Sequence, residues 1–130
     1  MSLSTIAGAL LLLGAPAVPN TPVVTAPIVA VTPPVPRRPL ERLFSPMDYP
    51  AAAQETGAQG RVDVAMLISP AGRVAGCVIK SSSGSSPLDA ATCRILRSRA
   101  QFKPARDGDG QATMGVFAFS KTWKAPAGEN

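Results

Sequence analysis

The chain has 130 residues, 45% of them apolar, and a formal net charge of +5. This length allows one small globular domain with flanking segments and excludes a second hydrophobic core. Because the chain has no histidine and only two cysteines, it cannot form a histidine-ligated metal site or a zinc site with four Cys or His ligands.

Residues 1–17 are predicted to be a signal peptide or a short membrane anchor. An apolar run from Ile6 to Val18 is followed by small residues, and Ala15-Pro16-Ala17 fits an A-x-A cleavage site. Two prolines end the run before the about 20 residues that a membrane-spanning helix needs. We therefore expect an exported protein, with attachment to the inner membrane through this segment as the alternative.

Residues 18–45 are predicted to be a proline-rich linker. Pro, Val, Ala and Thr dominate this stretch, and a core cannot be built from them in this pattern. Such a composition favours extended polyproline II, which makes a semi-rigid spacer, or a disordered leader.

The predicted domain spans residues 46–124 and begins with a helix and a β-hairpin. Tyr49-Pro50 precedes the helix-forming sequence AAAQET, and Gly57 is placed to cap its end. Apolar residues then alternate from Val62 to Ile68, and the sequence from Ser69 to Gly72 is typical of a tight turn. The partner strand is predicted from Arg73 to Ser82, and its core-facing residues are Ala75, Cys77 and Ile79.

A second helix is predicted from Leu88 to Ala100, with Ser86 as its N-cap. Helical spacing places Arg94 and Arg97 on its solvated side and turns Arg99 towards the apolar side, where we expect the helix end to fray. The residues predicted to face the core are Leu88, Ala91, Thr92, Ile95 and Leu96.

The last strand is predicted from Gln111 to Trp123, after a turn at Asp107-Gly108-Asp109-Gly110. The order helix, strand, strand, helix, strand predicts a two-layer α+β domain in which the helices cover one face of a three-stranded sheet. Residues 125–130 are predicted to be a disordered tail.

The two cysteines are predicted to form a disulfide. Cys77 lies on the core-facing side of its strand, and Cys93 lies on the helix expected to pack over that strand, so a bridge is sterically reasonable. An oxidising compartment would favour the bridge, and two buried free thiols are the alternative.

The sequence predicts neither an enzyme nor a cofactor. The serine-rich stretch from Ser81 to Ser86 has no histidine to act as its base, and Asp107 with Asp109 is better explained as a turn than as a calcium loop. A Walker or dinucleotide-binding motif is also missing.

Residues 46–124 resemble the C-terminal domain of the TonB family. No single motif is specific, but the combination occurs in the order and spacing of that family: Tyr49-Pro50, Ala53, Gly57, Gly60, Val62, Gly72-Arg73-Val74, Leu88-Asp89, Phe102-Lys103-Pro104-Ala105 and Gly108. The resemblance implies the TonB/TolA-like C-terminal fold and a periplasmic location. It also implies a module that pairs with an extended segment of an outer-membrane receptor and passes on energy from inner-membrane motor proteins.

In that family the last strand is the docking edge, with the Tyr49-Pro50 region beside it. By this resemblance the partner-binding residues are Tyr49, Pro50, Thr113, Met114, Gly115, Val116, Phe117, Ala118, Phe119 and Ser120. An incoming strand would satisfy the unpaired backbone groups of an exposed sheet edge.

Two alternatives belong to other classes of protein. In the first, the domain is a stand-alone exported structural module whose edge pairs with a second copy to form a homodimer. In the second, Arg94, Arg97, Arg99 and Lys103 bind nucleic acid. Export argues against the second alternative, and we expect no nucleic-acid partner.

Overall fold

The computed structural model describes residues 29–125, so the predicted residues 1–17, residues 18–28 of the linker and all but the first residue of the tail lie outside it. Within residues 29–125, no helix is long and apolar enough to cross a membrane. The helices are α1 (Ala51–Thr56) and α2 (Ser86–Arg99), and two short 3-10 helices cover Leu40–Leu43 and Pro46–Asp48. The strands are β1 (Val35–Pro36), β2 (Gly60–Ile68), β3 (Val74–Ser81), β4 (Phe102–Lys103), β5 (Ala105–Arg106), β6 (Ala112–Thr113) and β7 (Gly115–Trp123).

The main sheet is antiparallel and has three strands in the order β3-β2-β7. The helices cover one face of this sheet, which confirms the predicted two-layer α+β fold. The β2 side chains alternate as predicted, and Val62, Val64, Met66 and Ile68 are buried. The five α2 residues predicted to face the core are also all buried.

Two details of the predicted elements are wrong. The N-cap of α2 is Ser85 rather than Ser86, since the Ser85 hydroxyl accepts a hydrogen bond from the Leu88 N–H. On β3, Ala75 and Ile79 are exposed although both were predicted to face the core. The register shifts beside Ala75, so that Leu67 pairs with Gly76 and Ile68 with Val74, and this β-bulge turns Ala75 out.

Residues 29–49 pack along the domain, and we call them the N-terminal arm. Val35 and Pro36 pair with Lys103 and Phe102, and the arm's only isolated bridge within the described residues joins Thr32 to Arg106. Leu40 and Leu43 are buried in the core. Packed structure therefore begins upstream of residue 46, where the sequence predicts the domain to start.

The tight turn between β2 and β3 contacts β4 through Gly72. This residue has φ of +82°, and its carbonyl accepts a hydrogen bond from the Phe102 N–H at 2.9 Å. A Cβ atom at this position would lie 2.1 Å from the Phe102 carbonyl oxygen, which is part of the backbone and cannot move aside alone.

Gly72→Ala is therefore expected to lower the free energy of unfolding by about 2 kcal/mol, from a left-handed backbone and a clash together. Gly84→Ala is the matched control, because Gly84 has φ of +92° and its Cβ would meet nothing within 4 Å. The control is expected to lose about 1 kcal/mol. If both variants lost the same free energy of unfolding in urea denaturation, the close approach to Phe102 would make no contribution to stability.

Candidate protein-binding site

The hairpin turn determines which way the backbone groups of β2 point. The Ser69 N–H donates to the Arg73 carbonyl at 2.8 Å, so the backbone N–H and C=O groups of Ser69 point towards β3. Successive residues of a strand direct their N–H and C=O groups to opposite neighbours. The backbone groups of Leu67 therefore also point towards β3, and those of Ile68 point towards β7. The alternation continues along β2, so every even-numbered residue back to Gly60 faces β7.

The β2–β7 register then identifies the free backbone groups of β7. Ile68 pairs with Gly115 and Gly60 with Trp123, without a shift between them, so the odd-numbered residues of β7 bond to β2. The even-numbered residues direct their N–H and C=O groups away from the sheet. Within residues 29–125, no other strand pairs with this edge. The residues with outward backbone groups are Val116, Ala118, Ser120 and Thr122.

The side chains of these even-numbered residues lie on the sheet face that the helices leave open. Val116 is 49% exposed and lies opposite Leu67, while Ala118 lies opposite Ala65. Further along, the Ser120 hydroxyl donates to Asp63 at 2.6 Å. This hydrogen bond, followed by one from Arg61, lowers the pKa of Asp63 from its usual value. The open face beside the edge is thus apolar at one end of β7 and polar at the other.

On the helix side of β7, a groove of about 440 Å³ lies between the strand's last residues and the N-terminal arm. Its aromatic wall consists of Phe44, Tyr49 and Trp123. The Trp123 ring meets Phe44 edge-on with centroids 5.7 Å apart and meets Tyr49 in the same way at 5.4 Å. We call this the aromatic groove.

Lys121 brings a positive charge into the aromatic groove. Its Nζ lies 4.7 Å from the centroid of the Phe44 ring and 5.1 Å from that of Trp123, within the range of cation–π attraction. It also lies 3.3 Å from a Glu41 carboxylate oxygen. The side chain is only 14% exposed, so an incoming group would meet a cation held in place by its neighbours.

The Tyr49-Pro50 pair lies next to the aromatic groove. The Tyr49 hydroxyl donates to the Ala58 carbonyl, and the ring is buried against Trp123. Pro50 is the N-cap of α1, one position before the first helical residue. Tyr49 thus joins the N-terminal arm to the chain leading into β2, and it forms part of the groove wall.

Arg99 fastens the N-terminal arm to the end of α2. Its guanidinium forms two hydrogen bonds with the Asp48 carboxylate, at 2.8 and 2.9 Å, and donates to the Leu43 carbonyl at 2.7 Å. The hydrogen bonds from Arg99 hold the pKa of Asp48 well below its usual range, and Asp48 in turn raises the pKa of Arg99. The expected fraying at Arg99 is wrong, because this bidentate pair anchors the last turn of α2.

The predicted docking residues lie on more than one element of the structure. Gly115 to Ser120 lie on β7, but Thr113 belongs to β6 and pairs with Ala105. Met114 lies between these two strands. Phe44 and Lys121 are not among the predicted site residues. Lys121 shares the two-residue period of Phe117, Phe119 and Trp123, and a lysine on an otherwise apolar face was the available signal.

The disulfide between Cys77 and Cys93 is present, with the two Cα atoms 5.8 Å apart. It joins β3 to α2, as predicted. Elsewhere in residues 29–125, no three His, Cys, Asp or Glu side chains lie close enough together to hold a metal ion.

The fold and its open edge define a small α+β protein-interaction module. The sequence profile described as the C-terminal domain of the Gram-negative bacterial TonB protein matches residues 45–124, which is more than half of the chain. The chain therefore belongs to the TonB C-terminal domain family, whose members are protein-interaction modules of the bacterial envelope.

A solved structure shows the same fold. The chain is similar to the solution NMR structure of the Pseudomonas aeruginosa TonB C-terminal domain, with 23% sequence identity and a TM-score of 0.54. The match covers 74% of this chain and 90% of that one. A comparison with curated protein sequences gives no match.

Proposed function

We propose that this domain binds an extended segment of an outer-membrane receptor, or of another envelope protein, by adding it as a fourth strand beside β7. The observation that supports the proposal most directly is the row of outward N–H and C=O groups at Val116, Ala118, Ser120 and Thr122. An extended peptide satisfies such groups without any rearrangement of the sheet.

The surroundings of β7 would give this pairing its side-chain preferences. Alternate side chains of an added strand point to opposite faces. One set would lie over the open face beside Val116 and Ala118, which favours small or β-branched apolar residues. The other set would lie on the helix side, where the aromatic groove and Lys121 receive a larger or acidic side chain.

Val116→Pro tests this docking edge. Proline cannot donate a backbone hydrogen bond, and at Val116 the lost N–H points away from β2, so the sheet is expected to stay folded. We expect binding of N-terminal peptides from the organism's outer-membrane receptors to be lost in fluorescence polarisation.

The matched control is Ile79→Pro on the opposite edge. Val78 pairs with Ala65, which faces β3, so the backbone groups of Ile79 point outward by the same alternation. This variant is expected to bind peptide as the natural chain does. A folded Val116→Pro variant with unchanged binding, or an equal loss in both variants, would contradict docking at β7.

A second copy of the chain could occupy the same edge, because two antiparallel β7 strands can pair as readily as β7 and a peptide. Sedimentation at micromolar concentration distinguishes these occupants. We expect a monomer whose β7 edge is free to bind the peptide. A dimer that Val116→Pro dissociates would support the dimerising structural module instead.

Export and energy coupling form a further part of the proposal. Membership of an envelope-protein family supports a periplasmic location, and the predicted signal peptide or anchor in residues 1–17 would deliver the domain there. Contact with inner-membrane motor proteins would require an uncleaved anchor. The mass of the mature protein in fractionated cells tests this: a soluble species starting near Val18 would argue against coupling.

A further inference from the structure

The N-terminal arm carries exposed apolar side chains next to its pairing with β4. Val31 is 72% exposed and Val35 is 50% exposed, although both lie in segments whose backbone is tied down. The Val31 N–H donates to the Arg106 carbonyl at 2.7 Å, and Val35 pairs with Lys103. These valines are therefore presented to solvent by a fixed backbone, where they can contact another surface.

A groove of about 370 Å³ runs beside these valines. Three cations line it, Arg37, Lys103 and Arg106, and its other lining residues are Thr32, Pro33, Val35 and Pro104. We call it the basic groove. It has no acidic lining residue, and none of its cations takes part in the three ion pairs found within residues 29–125.

The nearest carboxylate along the chain is already engaged. One Asp107 oxygen accepts hydrogen bonds from the N–H groups of Asp109 and Gln111, both at 2.9 Å, and so closes the turn before β6. Arg106 donates to the Gly110 carbonyl at 3.2 Å, which leaves its charge uncompensated. The basic groove is thus an unneutralised positive site bordered by exposed apolar side chains.

Cations together with exposed apolar side chains on one surface fit the interface of an anionic bilayer, where the charges meet lipid phosphates and the apolar groups enter the headgroup region. The position of the groove in the chain favours this occupant. Only residues 19–28 separate the arm from the uncharged apolar run Ile6–Val18, and ten residues span at most about 35 Å. An uncleaved chain would hold the groove within that distance of a membrane.

We propose that the basic groove docks on an anionic phospholipid bilayer. Arg37, Lys103 and Arg106 contact lipid phosphates, and Val31 and Val35 enter the interface beside them. This role is independent of β7, whose outward edge is not part of the groove, so either proposal can fail without the other.

The test is flotation of the full chain with equimolar phosphatidylethanolamine and phosphatidylglycerol vesicles, against phosphatidylcholine vesicles. The apolar run Ile6–Val18 has no charge, so any insertion by it should add equally to binding of the anionic and of the phosphatidylcholine vesicles. The ratio of the two binding constants therefore reports the basic groove. Arg37→Gln with Lys103→Gln is expected to lower binding to the anionic vesicles about fivefold per cation, or about 25-fold in total. A higher salt concentration should also weaken binding to the anionic vesicles.

The matched control is Arg94→Gln with Arg97→Gln, which removes the same charge from the exposed side of α2. This variant is expected to keep most of the binding to anionic vesicles. An equal loss in both double variants would overturn the proposal, because net charge alone would then explain it. Equal binding to anionic and neutral vesicles, or unchanged binding in the groove variant, would overturn it as well. Peptide binding should be unchanged in both double variants.

Discussion

Trp123→Ala is expected to lower the free energy of unfolding by about 4 kcal/mol, the largest effect of any single substitution considered. The indole is only 3% exposed and lies where β7, α2 and the N-terminal arm meet. Its N–H donates to the Thr92 hydroxyl at 2.9 Å, and its ring contacts Phe44 and Tyr49. Alanine would leave a cavity between all three elements and remove one of the three rings that form the wall of the aromatic groove.

Trp123→Phe separates packing from hydrogen bonding. Phenylalanine keeps most of the ring contacts and loses the N–H, while the Thr92 hydroxyl still donates to the Leu88 carbonyl at 2.8 Å. This variant is expected to lose about 1 kcal/mol. Because Trp123 is the chain's one tryptophan, unfolding should be followed by circular dichroism. A loss below about 2 kcal/mol for the alanine variant would show that the arm does not pack firmly on β7.

Cys77→Ala with Cys93→Ala is expected to lower the free energy of unfolding by about 3 kcal/mol. The bridge closes a loop with a sequence separation of 16, and cross-linking reduces the entropy of the unfolded chain. Both cysteines are half-buried against the core, so alanine at these positions causes little steric disturbance. Urea denaturation of the oxidised protein and the double variant gives the difference.

Dithiothreitol provides the control for this measurement. It should destabilise the natural chain by a similar amount and leave the double variant unchanged. If the reduced natural chain were as stable as the oxidised one, the bridge would contribute nothing, and an enthalpic cost in the folded state would have to offset its entropic effect.

Periodic elements were predictable because one-dimensional spacing determines which side of them is buried. The alternation in β2 and the α2 residues Leu88, Ala91, Thr92, Ile95 and Leu96 show this directly. Ala75 shows the limit. Its exposure follows from a bulge opposite Leu67, and a bulge depends on cross-strand register that spacing within one strand does not encode.

The candidate site was predictable only in outline. The resemblance to a family pointed to the last strand, but the outward direction of Val116 and Ala118 depends on the hydrogen bond between Ser69 and Arg73. The arm escaped prediction because proline-rich composition favours a linker. Leu40, Leu43 and Phe44, which anchor the arm, are too few to give a period.

The way in which the N-terminal arm is fastened has a mechanical consequence. A force pulling on residue 29 first reaches the hydrogen bonds of Val31 and Thr32 with Arg106, then the β1–β4 pairs, and then the contacts of Arg99 with Leu43 and Asp48. The arm also contacts β7, because Phe44 and Tyr49 pack on Trp123 and Glu41 pairs with Lys121, so part of the load reaches the last residues of that strand. Peeling off the arm would release about 70 Å of extended chain and would open the aromatic groove beside β7. Tension on the arm would therefore act on the groove end of β7 and could change the shape of the surface beside the sheet edge.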